Sequence, residues 1–234
     1  MKKRLLAIVL CLCLLACAGC STTKAQMNQY NAVLFVEGVL DETYTGAPSK
    51  GYLQLMDLTA EDAGKTYQKN LSAELSQRLA VRFELDETFL KNDLRADYLE
   101  LLEAVYAKAS YTVVQAASLD HGRYCVEVSV TPVTFFQAAY ADGYAKLRAD
   151  FEKAHSLPDE EARQDMTDAQ IREAEENFET KWAQEVYDYL YARLDAITTG
   201  SAVTKLALVT PDRTGVYTLS PNDFQDIDDL ILQY

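Results

Sequence analysis

Apolar residues recur at three- and four-residue intervals through much of the chain, and this spacing predicts that helices dominate the fold. The stretch from Met27 to Tyr44 has this pattern and is predicted to form the first helix. Residues 46–51 contain two glycines and a proline, which predict a loop. A second helix is predicted to begin at Thr59, which with Asp62 matches the capping pattern of a helix start, and a third to run from about Glu87 to Lys108.

The period of the pattern changes to two at Ser110, which predicts β-strands. Apolar and polar residues alternate over 124–130, so the segment is predicted to form a hairpin with one buried face and a turn at residues 120–122. A second hairpin is predicted from the runs Val203 to Thr210 and Gly215 to Leu219.

Two long helices are predicted between the hairpins. The first begins at Thr134 and ends before Pro158, because the residue before a proline disfavours helical geometry. The second opens with the capping-box pair Thr167 and Gln170 and is predicted to stop near Gly200. Their apolar stripes predict that the two helices pack as an antiparallel pair.

The chain runs through helices, a hairpin, helices, a hairpin and a short terminal helix at residues 223–231. This order predicts the α+β class, because the strands come in adjacent pairs rather than singly between helices. The simplest assembly is one antiparallel sheet of about four strands with helices packed on one face. We expect residues 27–234 to form a single α+β domain.

The N-terminal segment MKKRLLAIVLCLCLLACAGCSTT has the layout of an export signal, with a basic start and an apolar run from Leu5 to Leu15. This run is too short to span a bilayer stably. The small residues before Cys20 resemble the lipobox of bacterial lipoproteins, in which the cysteine thiol is acylated and becomes the new N-terminus. Residues 1–19 are therefore predicted to be a lipoprotein signal peptide, and residues 20–26 a lipidated cysteine with a short tether.

Two alternatives to acylation at Cys20 stay open. Cys17 stands where the lipobox prefers leucine, and it follows Leu-Leu-Ala, which makes it a second candidate for lipidation. The segment could also be an ordinary secretory signal whose cysteines only fill its apolar core. In the lipoprotein interpretation, the protein is extracytoplasmic and acyl chains bind it to the bacterial cell membrane.

Charge and cysteine content limit the partners and the source of stability. Removal of residues 1–19 takes away three of the 22 basic residues and none of the 36 acidic ones, which changes the formal net charge from −14 to −17. This charge excludes nucleic acid as an expected partner. After Cys20 only Cys125 remains, so no intramolecular disulfide can stabilise the mature chain and the fold must depend on a hydrophobic core.

Three stretches, GYLQLMDLTAEDAGKTYQKNL, YTVVQAASLDHGRYCVEVSVTPV and GVYTLSPNDF, resemble an uncharacterised lipoprotein domain found mainly in clostridial and related Gram-positive bacteria. The resemblance covers most of the mature chain. It implies a cone-shaped α+β (cystatin-like) architecture similar to nuclear transport factor and ketosteroid isomerase domains, in which a curved sheet wraps helices around a cavity. It implies no catalytic motif, and a fold does not confer a function.

The sequence lacks the common catalytic and cofactor-binding motifs. It contains no GxSxG elbow and neither of the glycine-rich phosphate loops, GxxxxGK[ST] and GxGxxG. His121 and His155 have no second ligand at metal-binding spacing. The aspartates within residues 223–229 could gather calcium, but they lack the glycine turn of an EF-hand and are more typical of a solvated helix face. We therefore expect no catalytic residue, no cofactor and no metal site.

Tyrosine is the more suggestive residue type, with 15 in the chain. Tyr140 and Tyr144 are four residues apart on one helix of the predicted pair, and Tyr187 and Tyr191 repeat the spacing on the other. Aromatic residues at helical spacing usually pack a core. The alternative is a tyrosine-lined groove for a protein, peptide or glycan ligand.

Two functions from different classes follow from these observations. The first is a membrane-anchored binding or interaction module outside the cytoplasm. The second is a small cone-fold enzyme, isomerase-like or hydrolytic, that uses carboxylates or tyrosines in a cavity. A buried carboxyl group beside a tyrosine in an apolar pocket would favour the enzyme, because burial raises the pKa of a carboxyl group toward the range of an acid–base catalyst.

Overall fold

The computed structural model describes residues 28–212 and 216–234. The predicted signal peptide and tether, with Cys17 and Cys20, lie outside the described residues. The fold is α+β with one four-stranded antiparallel sheet, as the sequence predicted. The described residues form two compact units: the first contains residues 28–68, Ser110–Thr131 and Ala202–Ile231, and the second contains Lys69–Ala109, Pro132–Ser201 and Leu232–Tyr234.

The first unit holds the sheet and the helices that pack on it. Its elements are α1 (Gln29–Tyr44), α2 (Lys50–Met56), the start of α3 (Ala60–Glu74), β1 (Ser110–Ser118), β2 (Tyr124–Thr131), β3 (Val203–Pro211), β4 (Tyr217–Leu219) and α10 (Pro221–Ile231). The other helices, α4 to α9, belong to the second unit.

The sheet has the strand order β1-β2-β3-β4, and every neighbouring pair is antiparallel, which confirms both predicted hairpins. Alternate residues of β2 are buried and half-exposed, because α1 packs against β1 and β2 while α10 packs against β2 and β3. The valines at 126, 128 and 130 are fully buried on this helix-covered face. Cys125, Glu127 and Leu206 lie on the other face.

The second unit is helical. Its α-helices after the end of α3 are α4 (Ala80–Arg82), α5 (Asn92–Tyr106), α6 (Phe135–Ala139), α7 (Ala145–Ala154), α8 (Glu160–Gln164) and α9 (Asp168–Tyr191). Two π-helical turns join α3 to α4 at Leu75–Leu79 and α6 to α7 at Tyr140–Tyr144.

The segment from α6 to α7 and α9 form the predicted antiparallel pair. Phe151 of α7 contacts Phe178 in the middle of α9, with ring centroids 5.1 Å apart. Near the end of α9, the Tyr189 hydroxyl donates to the Ala139 carbonyl at 2.6 Å. The completely buried Trp182 lies between these contacts and donates its indole N–H to the Phe83 carbonyl at 3.1 Å. These contacts place the aromatic stripe of the sequence in the core of the second unit.

Helix boundaries depart from the sequence prediction at several places. The third predicted helix begins at Asn92 rather than near Glu87, because Glu87–Phe89 forms a separate 3-10 turn. The expected loop at residues 46–51 contains the start of α2, which the Ser49 side chain caps at the Tyr52 amide. Helix α9 ends at Tyr191 rather than near Gly200, because the following segment bonds to a different part of the chain: the Gly200 amide donates to the Pro132 carbonyl at 2.8 Å. The β-branched residues 197–199 favour this extended pairing over helix.

Candidate functional site

The Tyr140–Tyr144 pair lies on the π-helical turn between α6 and α7. The two rings stack with centroids 4.5 Å apart, and the guanidinium of Arg82 lies 3.6 Å from the centroid of the Tyr140 ring. Tyr144 is buried, and its ring contacts Phe83 and Trp182 edge-on. Burial, together with the charge of Glu84, raises the pKa of the Tyr144 hydroxyl. This pair therefore packs the helical core on its Tyr144 side.

The Tyr187–Tyr191 pair lies on the last turns of α9 and has a different environment. Its rings also stack, at 5.5 Å, but Tyr191 is 59% exposed. Tyr187 contacts the ring of Tyr98 edge-on at 5.5 Å, and the buried Tyr98 hydroxyl donates to the Ala183 carbonyl at 2.7 Å. One side of the pair is thus fixed to the core, and the other is open to solvent.

Three carboxylates lie near enough to Tyr187 to affect its hydroxyl electrostatically. Burial raises the pKa of the Tyr187 hydroxyl, and the negative charges of Asp97, Glu100 and Asp188, with the neighbouring Tyr191, raise it further. We call the two tyrosines and these three acidic residues the acidic tyrosine surface. Two stacked aromatic faces beside three carboxylates suit a cationic group, because the ring faces attract cations and the carboxylates accept charged hydrogen bonds.

The sequence analysis selected the tyrosines of this surface but missed its acidic residues on α5. Asp97 and Glu100 are three residues apart, which places them on one side of a helix, and they flank Tyr98 in the sequence. The sequence shows this spacing, but it does not show which helix packs against that side of α5. Whether a ligand contacts either tyrosine pair stays a prediction.

Three tyrosine–carboxylate hydrogen bonds occur in the first unit. The hydroxyl groups of Tyr52, Tyr111 and Tyr44 donate to Glu42, Asp41 and Asp228, respectively. The Tyr52–Glu42 bond is buried and 2.7 Å long, and the Tyr111–Asp41 bond is 2.8 Å long.

The pKa shifts in these pairs have clear physical causes. Burial raises the pKa of Asp41, and the hydrogen bond from Tyr111 partly opposes it. Burial also raises the pKa values of Tyr52 and Tyr111, and their carboxylate partners raise them further. Both phenols therefore stay protonated donors, and a carboxyl group with a raised pKa is the kind that acid–base catalysis uses.

Two clefts occur among the described residues of the second unit. A cleft of about 170 Å³ is lined by Thr88, Phe89, Leu90, Lys91, Arg172 and Glu176, and one of about 490 Å³ by Ala104, Lys108, Leu194, Asp195, Ile197 and Thr199. Both belong to the second unit, and no member of the three tyrosine–carboxylate pairs lines either cleft. The pairs therefore hold the end of α1 in place rather than face a substrate cavity described here.

No family model and no curated protein matches the chain. The solved structures include a match to YcdA, a candidate lipoprotein of Bacillus subtilis, with a TM-score of 0.52 and 10% sequence identity. The match covers 88% of this chain and 57% of the YcdA chain, so this chain spans little more than half of that protein. At this identity the likeness shows a shared fold alone.

The other residues that the sequence singled out have structural environments. Cys125 is a half-exposed free thiol on the uncovered face of β2. His121 lies in the tight turn before β2 at a positive φ of 62°, and the His155 ring lies 4.9 Å from the Phe151 ring. Asp223 accepts a bond from the Leu208 amide at 2.8 Å, which ties α10 to β3.

Neither a metal-binding cluster nor a membrane-spanning helix occurs among residues 28–212 and 216–234. Within these ranges, no group of three His, Cys, Asp or Glu side chains could hold a metal ion. None of the helices in the same ranges combines the length and the apolar character needed to cross a bilayer.

Proposed function

We propose that the protein is a lipoprotein anchored outside the cytoplasm through Cys20 and that its folded part is a binding module. The basic start, the apolar run and the small residues before Cys20 support the anchor. The fold likeness to a candidate lipoprotein of a Gram-positive bacterium agrees with it. Seven residues separate Cys20 from Asn28, so their Cα atoms are at most about 29 Å apart and α1 would begin close to the membrane surface.

The acidic tyrosine surface is the observation that carries the binding function. Tyr191 is 59% exposed, so its ring buries little apolar area against Tyr187 and contributes little to the stability of the fold. Aromatic residues of this kind are enriched at binding surfaces, where the ring supplies contact area at low entropic cost. With three carboxylates beside the rings, the ligand is a protein, peptide or glycan that presents basic groups.

A peptide of four arginines tests this binding surface. Fluorescence anisotropy with the full-length protein in a nonionic detergent should give a measurable Kd that rises at least tenfold in Tyr191→Ala. Tyr191→Phe should bind within about twofold of wild type, because the ring face is retained. Tyr30→Ala is the matched control, since Tyr30 is 73% exposed but belongs to the first unit. Equal affinity of wild type and Tyr191→Ala would remove this surface from the proposal.

The same proposal includes membership of the lipoprotein domain family of clostridial and related Gram-positive bacteria that the sequence resembles. The three stretches that carry the resemblance cover residues 51–71, 111–133 and 215–224, which are most of α2 with the greater part of α3, the first hairpin, and β4 with the start of α10. Helix α1 packs against β1 and β2, and the cone-shaped architecture requires a helix packed on a sheet in this way. This packing supports the assignment. Chimeric proteins that exchange these stretches with a family member would test the assignment by their folding.

A further inference from the structure

The sheet has one edge that its own strands complete only in part. Strand β3 is nine residues long, but β4 has three residues and pairs only with Val209, Thr210 and Pro211. After β4 the chain turns into α10, and the Ser220 amide donates to the Leu208 carbonyl at 2.8 Å. Among the described residues, no strand lies beside Val203–Ala207 on this side of β3.

The backbone groups on that side can be assigned from the register. Leu208 donates its N–H to Asp223 and accepts from Ser220, so its backbone groups point away from β2. Direction alternates along a strand, so the N–H and C=O groups of Thr204 and Leu206 point to the same side. The structure gives these four groups no partner among the residues it describes, and Leu206 is 62% exposed.

Proteins usually protect such an edge with a bulge, a proline, a charged side chain or a covering element. The opposite edge has one of these devices, because the register of β1 shifts at a bulge between Val113 and Gln115. The open part of β3 has one charged side chain, Lys205, and its ammonium lies 3.5 Å from the Asp226 carboxylate. The edge at Thr204 and Leu206 therefore keeps the hydrogen-bonding capacity of an unpaired strand.

We propose that this edge binds an extended basic polypeptide segment, which adds to the sheet beside β3 in line with β4. Strand addition is a general mode of peptide recognition that uses main-chain hydrogen bonds for affinity. Charge selects the partner. Helix α10 packs against β3 and carries four aspartates and no basic residue, so an acidic segment or a second copy of this acidic chain would be repelled. This surface belongs to the first unit and goes beyond the proposed function of the acidic tyrosine surface.

The test uses the full-length protein in a nonionic detergent and a labelled seven-residue peptide of alternating lysine and valine. A second peptide has the same side chains and charges, but every backbone amide is N-methylated. The proposal predicts at least tenfold weaker binding of the methylated peptide, because it has no N–H to donate to β3. Equal affinity of the two peptides would show adhesion by charge alone and overturn the proposal.

A pair of variants tests the edge itself. Leu206→Pro removes an N–H that points away from the β2 ladder, so the strand should tolerate it while the peptide loses a bond and meets the proline ring. Leu206→Thr keeps the N–H and controls for the lost side chain. We expect at least tenfold weaker binding for the proline variant and at most a threefold change for the threonine variant, and equal binding by the proline variant contradicts the proposal.

Hydrogen exchange of the wild-type protein provides a readout that needs no variant. The peptide should slow exchange of the Thr204 and Leu206 amides, and unchanged exchange at both would refute strand addition at this edge. Sedimentation tests whether a second copy of this chain occupies the edge instead. A wild-type dimer that Leu206→Pro converts to a monomer would assign the edge to a second copy and not to a peptide.

Discussion

Asp41 and Glu42 lie in the last turn of α1, where the helix dipole disfavours negative charge. The last turn contains no basic residue to balance them. Instead, the hydroxyl groups of Tyr111 and Tyr52 donate to the two carboxylates. The charge of Asp41 is still unfavourable on balance, because burial raises its pKa more than the bond from Tyr111 lowers it.

Replacing Asp41 by Asn should therefore stabilise the protein by about 0.5 kcal/mol at neutral pH. Asn keeps an oxygen that accepts from Tyr111 and removes the charge. The folded-state pKa lies above the ordinary value of 3.8, so the cost of ionisation is absent below that value and complete above the raised pKa. Denaturant melts of wild type and variant should thus differ at about pH 7 and converge as the pH falls below about 4.

Asp62 provides a control, because its replacement by Asn is expected to have the opposite effect on stability. Hydrogen bonds from Thr59 lower the pKa of Asp62 at the start of α3, so its charge is favourable in the folded state. Asp62→Asn should destabilise the protein at neutral pH, and the loss should shrink as acid protonates the wild-type carboxyl group. A stabilising Asp62→Asn or a destabilising Asp41→Asn would contradict this account of the two charges.

The hydroxyl groups of the acidic tyrosine surface should contribute little to folding. Tyr187 and Tyr191 donate no hydrogen bond to a described residue, so changing both to Phe should alter the free energy of unfolding by less than about 0.5 kcal/mol. Tyr98→Phe is the matched comparison, because it removes the buried hydrogen bond that the hydroxyl donates to the Ala183 carbonyl and should cost about 1 kcal/mol. A loss near 2 kcal/mol in the double variant would show that both hydroxyl groups are buried core groups.

At the scale of elements, local patterns predicted most of the fold. The capping pair Thr167 and Gln170 forms the expected reciprocal bonds at the start of α9, and the alternation in β2 gives its buried face. The end of α9 could not be predicted from local patterns, because the Gly200 amide donates to the carbonyl of Pro132, 68 residues earlier in the chain. Asp97 and Glu100 were missed for the same reason, since α5 and α9 meet only through tertiary packing.

Two helix glycines provide a test of element packing. A Cβ at Gly38 in α1 would lie 2.0 Å from the Tyr52 ring, so this glycine allows α1 and α2 to approach closely. A Cβ at Gly64 in α3 would meet nothing within 4 Å. Gly64→Ala should stabilise the protein by about 0.5 to 1 kcal/mol, as expected inside a helix. Gly38→Ala should destabilise it by more than about 1 kcal/mol because α2 must move.

Thermal or denaturant melts of the two glycine variants check this prediction. The substitution is chemically the same, so the comparison isolates the contact with Tyr52. If Gly38→Ala were as stable as Gly64→Ala, the close approach of α1 and α2 would be incorrect.

At the scale of the whole molecule, charge bears on the proposed anchor. In the proposed lipoprotein, removal of residues 1–19 leaves a formal net charge of −17, which repels anionic headgroups, so the acyl chains would supply the attachment. Both proposed binding surfaces are acidic, which agrees with a ligand that carries basic groups.

The most direct test of this account is acylation of Cys20 in growing cells. Bacteria that express the wild-type protein, Cys20→Ala or Cys17→Ala are fed an alkyne fatty acid, and the purified proteins are assayed for the label. The account predicts label on wild type and on Cys17→Ala, and none on Cys20→Ala. Label retained by Cys20→Ala and lost from Cys17→Ala would move the anchor to Cys17, and an unlabelled wild-type protein would contradict the lipoprotein assignment.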